Sequence, residues 1–529
     1  MSRVGAVRRR GRRSWLIALS SAPLIAAGAL VACSGDEVIA PLPAAPPDAP
    51  LCKEDSESPS VDGAFSPNTD WLWQAGYGVF VHFLPGMNDI TADGADDWNA
   101  SVDAFDAESF AEQVASTGAG YVILTTGQDS GFLCAPNATY DAYVGPGRTS
   151  KRDLPADVAR ALKTRGIKLM LYAAAAAPSA DTAAANALGS SVLSSDEFNY
   201  LLTPLVRCRW SSAVQEWSDR YREDVAGWWF DGAYAWVGFD ETYAIAFAKA
   251  ARHGNAKALV SFDPFPDSDI ETQPRFLPED YTAGELNLLP PASSYPYPNS
   301  RWTSQHAQWH GLTFLGAYWG SPEVAPLDPD QQIRDPLHPI VAKNYIVDVN
   351  ERGGVVTLDM AIHRNGAFAP EQLAIMQGIK ASIRDARTVP HVDRSATATS
   401  EALDASAAAA IDGDVSTAWR SEIGDPLPQS ITYALLPGSG PPLPVTRLRY
   451  LPPNGATEDG TITGYNVYTS TDGVAFTLAK TGTWADDSGE KIVELDGALA
   501  THVRLEATSG HGGFAGAANL NVEYAAPLN

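Results

Sequence analysis

The sequence predicts an α/β chain, a (β/α)8 barrel followed by an all-β sandwich, on three observations. At 529 residues the chain exceeds the usual size of one domain. From Trp71 to about Ile383, short apolar runs rich in β-branched and aromatic residues alternate with amphipathic segments, the pattern of repeated βα units around a parallel sheet. After "QGIKASIRDARTVP" that texture gives way to short alternating strands separated by turn signals, with no long helix, which is the pattern of an antiparallel sandwich.

Eight strands are expected in the first part: 77–83, 120–126, 167–173, 226–231, 258–263, a weak one at 279–285, 312–319 and 354–359. Helices are expected between them at 107–118, 154–166, 212–224 and 240–254, several closing on glycine as helix ends do. In such a barrel the chemistry sits where strands end. The expected strand ends carry His82, Gln128, Asp129, Tyr172, Asp231, Asp263, Glu285, Trp319 and Asp359. Asp and Asn also cap helices, so a strand-end carboxylate does not by itself mark a site.

The hydrophobic share of 45% allows real cores, and 14 Trp and 19 Tyr against 19% charged residues suit a protein that stacks sugars on aromatic rings. Residues 1–32 read as a lipoprotein signal peptide: "RRRGRRSW" precedes an apolar stretch ending in "LVAC". Cys33 is the expected lipidation site, followed by a Pro/Ala-rich tether over 33–62. Cleavage there removes six Arg and leaves 31 basic against 63 acidic residues, a charge near −32 that argues against nucleic acid or an anionic membrane surface as partner. The expected membrane link is the N-terminal lipid alone, at a bacterial cell envelope or in a secreted form. Cys52, Cys134 and Cys208 remain, too few for more than one internal disulfide; Cys134–Cys208 is the expected pair, since both fall in loops on one barrel face.

Five segments, "WLWQAGYGVFVHF", "FDAESFAEQVASTGAGYVILTT", "RDLPADVARALKTRGIKLMLY", "WWFDGAY" and "VNERGGVVTLDMAIHRNGAFAPEQLAIMQGI", resemble in that order the barrel of the α-L-fucosidases of glycoside hydrolase family 29. The resemblance places the catalytic domain at 63–388 and implies a retaining double displacement. It puts the nucleophile at Asp231, at the end of the fourth strand, and needs a second carboxyl as acid and then base. Glu285 is the expected partner, because it follows the weak sixth strand and precedes an aromatic loop; Glu279 and Asp280 compete for the role. His82 matches a histidine that holds sugar hydroxyls in the family. Gln128, Asp129, Tyr172, Trp229 and Trp319 complete the expected substrate contacts, and Trp228 and Trp236 are further aromatic candidates. Where the family carries a His-His-Asp-Gly-Phe run, this chain reads Thr126 to Phe132 without histidine. A polar pocket persists there with a different donor pattern, and such a change can alter which sugar is accepted.

Residues 390–529 resemble the discoidin, or F5/8 type C, module. The likeness implies a structural Ca²⁺ held by Asp412, Asp414 and Thr417, hard oxygen ligands of the kind calcium prefers, with Asn519 where a glutamate usually completes the set. Trp484 and Phe514 are candidate rim aromatics. No cofactor is expected for catalysis. The function implied is a retaining exo-glycosidase of α-L-fucosidase type that releases a terminal α-linked deoxy sugar from a glycan or oligosaccharide. The alternatives are a related α-glycosidase for another sugar and a non-catalytic glycan-binding lipoprotein.

Overall fold

The computed structural model describes residues 67–176, 178–192, 200–264, 273–276, 278–286, 300–322, 339–390, 394–435, 440–453 and 460–525. The leader, Cys33 and the tether lie outside the described residues.

Seven strands form one parallel sheet: β1 (Tyr77–Val81), β2 (Tyr121–Thr125), β3 (Lys168–Ala174), β4 (Val225–Asp231), β5 (Leu259–Phe262), β6 (His310–Phe314) and β7 (Val355–Asp359). Their order across the sheet is β5-β4-β3-β2-β1-β7-β6. Nearly every strand residue is buried, as expected of a parallel sheet covered on both faces, and the β-branched and aromatic composition follows from that. Side chains alternate between two cores. Val79, Val81, Leu169, Leu171, Trp228 and Phe230 pack outward against helices, whereas Phe80, Met170, Tyr172, Trp229, Leu259 and Leu312 fill the interior. The period of two then carries His82, Asp231, Asp263 and Asp359, each two residues beyond an inward position, onto the interior face at the carboxyl ends of the strands.

The sheet curls until its edges both reach the segment 280–286. Asp280 N donates to Val260 O at 2.9 Å on the β5 side, and Thr282 N and Leu286 N donate to Gln308 O and Leu312 O, at 3.0 and 2.8 Å, on the β6 side. This corrects the expected sixth strand, which is reduced to isolated bridges Tyr281–Gln308 and Glu285–Leu312. Two features prevent a regular ladder. Gly284 adopts φ +69°, and a Cβ there would lie 2.1 Å from His310 O, so only glycine allows this approach. Opposite it, side chains replace backbone as partners of β5: Glu279 Oε2 accepts from Phe262 N and Asp280 Oδ2 from Val260 N.

Helices Ala107–Thr117, Leu154–Lys163, Pro204–Tyr221 and Glu241–Ala251 surround the sheet. Asp106, Asp153, Thr203 and Asp240 cap them through side-chain oxygens that accept from first-turn N–H groups, so the three acids are capping groups. The third helix starts eight residues earlier than its expected start at 212 and places Cys208 on a helix, not in a loop. The expected Cys134–Cys208 bridge is absent: Cys134 is a free, buried thiol that donates to Thr125 O, while Cys208 is disulfide-bonded to a different cysteine.

The sandwich comprises a sheet of Ala386–Thr388, Asn519–Ala525, Leu443–Leu451 and Lys491–Ala500, facing one of Ser395–Ala398, Gln429–Ala434, His502–Gly510, Ile462–Ser470 and Thr477–Thr483. Ala386–Thr388, read from sequence as the end of the barrel, pairs antiparallel with Glu523–Ala525 and so belongs to the second domain's sheet. Trp419, Tyr433, Leu448, Tyr450, Val467 and Leu505 lie in its core. Ile340, on barrel helix Pro339–Glu351, packs with Val415, Leu451 and Ala518 of the sandwich.

Candidate active site

Asp231 ends β4, half-buried, on the same face as Trp229. Gly232, at φ +86°, turns the chain sharply away after it. Both carboxylate oxygens are held. Tyr172 OH donates to Oδ2 at 2.6 Å, with Gln128 Nε2 3.4 Å from the same oxygen, and Tyr234 OH donates to Oδ1 at 3.2 Å. Gln128 Nε2 also donates to Tyr172 OH at 2.7 Å. Burial, followed by the charge of Asp231, pushes the Tyr172 and Tyr234 hydroxyls well above their ordinary range. They therefore stay protonated, as donors, throughout the physiological pH range.

Facing Asp231 are two more carboxyls: one oxygen from each of Asp231, Asp263 and Glu285 lies within 4.8 Å of the others. Burial raises the pKa of Glu285, a hydrogen bond with Asp263 opposes the rise, the negative charge of Asp231 adds to it and His82 opposes it. This brings together the two residues chosen from sequence as nucleophile and acid/base.

The competitors of Glu285 are occupied elsewhere. Asp280 Oδ2 accepts from Arg252 Nη2 at 2.6 Å and Val260 N at 2.9 Å. Glu279 Oε1 accepts from Arg275 N and Phe276 N at 2.8 and 2.7 Å, and its Oε2 from Ser261 Oγ and Phe262 N, both at 3.1 Å. Four donors favour the anion, yet burial outweighs them and pushes Glu279 up to about 8. Glu279→Gln keeps the shape of the neutral carboxyl and removes its ionisation, which a denaturant titration across pH reads out. The pH dependence carries the sign. A carboxyl raised above its unfolded value contributes stability that is fully present below about 4.5 and is lost as pH rises through about 8, so the variant lacks that slope. A variant as stable as the parent with an unchanged slope contradicts this role.

His82 Nδ1 contacts Asp359 Oδ1 at 2.8 Å, and Gly320 N donates to Asp359 Oδ2 at 2.6 Å. One carboxylate thus orients the histidine and ties down the loop bearing Trp319, whose ring lies 5.9 Å from that of His82. Trp319 lies five residues beyond the end of β6, not on the strand. Asp359 and Asp263 were legible as strand-end acids without a role; Tyr234, only three residues after Asp231, was missed.

Three residues expected to touch sugar are engaged within the protein. Trp229 is buried, stacks on Tyr172 and donates from Nε1 to Ala283 O at 3.2 Å, so it forms the floor beneath the acids. Tyr172 is buried with its hydroxyl committed to Asp231, and its role is to hold that carboxylate. Asp129 Oδ1 accepts from Ser179 Oγ at 2.9 Å and its carbonyl accepts from Ala180 N and Asp181 N, so it braces a neighbouring loop. Trp228 packs outward in the core, leaving Trp236, 49% exposed and stacked on Tyr234 with ring centroids 4.5 Å apart, as the accessible aromatic of the run.

In the sandwich, Thr417 Oγ1 lies 2.7 Å from Asp412 Oδ2, 2.9 Å from Asp414 O and 3.2 Å from Ala409 O. One hydroxyl proton serves three acceptors, a crowding of oxygens that a hard cation relieves. The Asp414 side chain instead turns to Ser416, accepting from its N at 2.9 Å and its Oγ at 2.5 Å. Trp484 is sandwiched between Tyr450 and Tyr465, and Phe514 is buried, so both candidate rim aromatics are packing residues.

Comparison with known proteins matches residues 89–381, more than half of the chain, to the family model described as alpha-L-fucosidase, and residues 395–520 to that of the F5/8 type C domain. An A type blood N-acetyl-alpha-D-galactosamine deacetylase of Flavonifractor plautii is 31% identical over 210 residues, which are 39% of this chain; the chain spans only 26% of that relative. Among solved structures, a putative alpha-L-fucosidase from Bacteroides thetaiotaomicron is 14% identical, with 88% of this chain and 98% of that chain covered and a TM-score of 0.44. The family 32 CBM from C. perfringens NanJ in complex with galactose is 33% identical over 26% of this chain and 98% of that chain, with a TM-score of 0.24.

Proposed function

The chain belongs to the α-L-fucosidase family, and on that premise we propose that it is a retaining exo-glycosidase releasing a terminal α-linked, fucose-like sugar from a glycan. The observation that carries this reading is the approach of Asp231, its carboxylate fixed by tyrosine hydroxyls, and Glu285, whose affinity for a proton is raised, to within 4.8 Å. Retaining enzymes hold their two carboxyls about 5–5.5 Å apart, too close for a water between nucleophile and sugar. Asp231 attacks the anomeric carbon while Glu285 protonates the departing oxygen; Glu285 then takes a proton from the water that releases the sugar. With Nδ1 engaged by Asp359, His82 has Nε2 left for a sugar hydroxyl.

A related α-glycosidase for another sugar is favoured by one observation: Gln128, standing where the family has histidine, bonds Tyr172 and Asp231 rather than reaching outward. A panel of aryl α-glycosides separates the readings. Release from the α-L-fucoside supports the first, release only from another glycoside selects the second, and binding without turnover leaves a glycan-binding protein. In this proposal Cys33 carries the lipid that holds the enzyme at the cell envelope.

The sandwich is proposed to bind Ca²⁺ through the Asp412 carboxylate, the Thr417 hydroxyl and main-chain oxygens of Ala409 and Asp414. Calcium at about a hundred times its dissociation constant should then stabilise the folded module by about 2.7 kcal/mol. A chelator should lower the melting temperature of the parent and leave Asp412→Asn, already deprived of the charge, unaffected. Equal melting with and without calcium contradicts the site.

A further inference from the structure

We propose that Asp263 is a positioning residue that acts through Glu285: the two carboxyls share one proton, and the pair gives it to the departing sugar oxygen and recovers one from water. This rests on the assignment of Asp231 and Glu285 above. The geometry is built from the backbone. Asp263 N donates to Phe230 O at 2.7 Å and its carbonyl accepts from Ala233 N at 2.9 Å, which fastens it to both sides of Asp231. Glu285 is set by its bridge to Leu312 and by Leu312 N donating to Gly284 O at 2.7 Å. Asp263 is 0% exposed, and one of its carboxylate oxygens lies within 4.8 Å of one of Glu285. Two anions this close in a buried site repel strongly, which favours a single proton on the pair.

The groups acting on Glu285 from the surrounding elements are Asp263, Asp231, His82 and Tyr234, with His82 itself paired to Asp359. The carboxyls of Asp231, Asp263 and Glu285 face one another, and the charge of the trio stays constant through the reaction. Before attack, Asp231 is anionic and the pair carries one negative charge. In the first half, the bond from the anomeric carbon to Asp231 forms, the glycosidic bond breaks and the pair's proton leaves on the alcohol; Asp231 is now a neutral ester and the pair carries two charges. In the second, the water oxygen bonds to the anomeric carbon, its proton returns to the pair and Asp231 departs as a carboxylate. When esterification removes one neighbouring charge, the charge on Asp263 keeps Glu285 basic enough to deprotonate water.

Asp263→Asn keeps the shape, removes the charge and places a permanent donor against Glu285. Its pH profile should show the alkaline limb of kcat/KM shifted down by about one pH unit or more. For aryl glycosides with good leaving groups, where release of the sugar limits the rate, kcat should fall about tenfold from a weaker base. A merely structural role lowers the rate at every pH and leaves the limb in place, and that result overturns the proposal. Carboxyl ¹³C NMR of the wild-type chain supplies a test independent of turnover. Coupled two-step titration of Asp263 and Glu285, with the second step above the ordinary carboxylate range, is expected; two independent titrations within that range contradict the sharing. Absence of hydrolysis across the glycoside panel sinks the glycosidase reading alone, because the NMR titration still reports on the pair.

Discussion

Asp231→Ala should abolish turnover of the preferred α-glycoside, with kcat/KM lower by on the order of 10³-fold or more. The variant has no group to form the glycosyl-enzyme and no anion facing the positive charge that develops on the sugar ring. The fold should survive, because the packing of β4 rests on Trp228, Trp229 and Phe230, and the three hydroxyl and amide groups that held the carboxylate line a half-buried site. Azide provides the chemical control. In the space left by the carboxylate it should attack from the nucleophile's face and yield a glycosyl azide of inverted configuration. A variant with full activity removes Asp231 from the reaction.

Glu285→Ala should show an effect graded by the leaving group. Substrates whose alcohol must be protonated should slow by about 10²–10⁴-fold, whereas a glycosyl fluoride or dinitrophenyl glycoside should still form the glycosyl-enzyme and then stall for want of a base. Azide should accelerate that stalled step and give a product of retained configuration. The parent's alkaline limb should also go. Glu285 must be protonated to act as acid, and its raised pKa means that activity holds at low pH and falls as pH rises through that value. A leaving-group-independent loss with the limb intact would send the search to Asp263.

How far the sequence reaches differs from element to element. The strands were legible because a parallel sheet buried on both faces demands continuous β-branched and aromatic runs, and "AGWWFD" shows it plainly. Asp231 followed from the same run once a strand end was recognised. The alternation within it sends Trp229 inward, beneath the acids, and Trp228 outward among the helices, a consequence of period two that composition alone does not display. Glu285 was legible only as the end of a weak strand, since Gly284 and the carboxylates of Glu279 and Asp280 replace the ladder with local contacts that have no periodic signature. The contact between Asp263 and Glu285 depends on how the curled sheet brings β5 to the segment 280–286, and the hold of Tyr172 on Asp231 joins two strands 59 positions apart. Cys208 sits on a helix and Cys134 is a free thiol, so the expectation that both lie in loops on one face suggested the wrong pair.

The most direct test of the paired-acid site is to trap the covalent intermediate. Incubation with a 2-deoxy-2-fluoro-α-fucosyl fluoride, followed by proteolysis and mass spectrometry, should find one fluorosugar per chain, on the peptide containing Asp231, with activity lost in proportion to labelling. A sugar attached to any other residue, or continued turnover of the fluoride with first-formed product of inverted configuration, contradicts it.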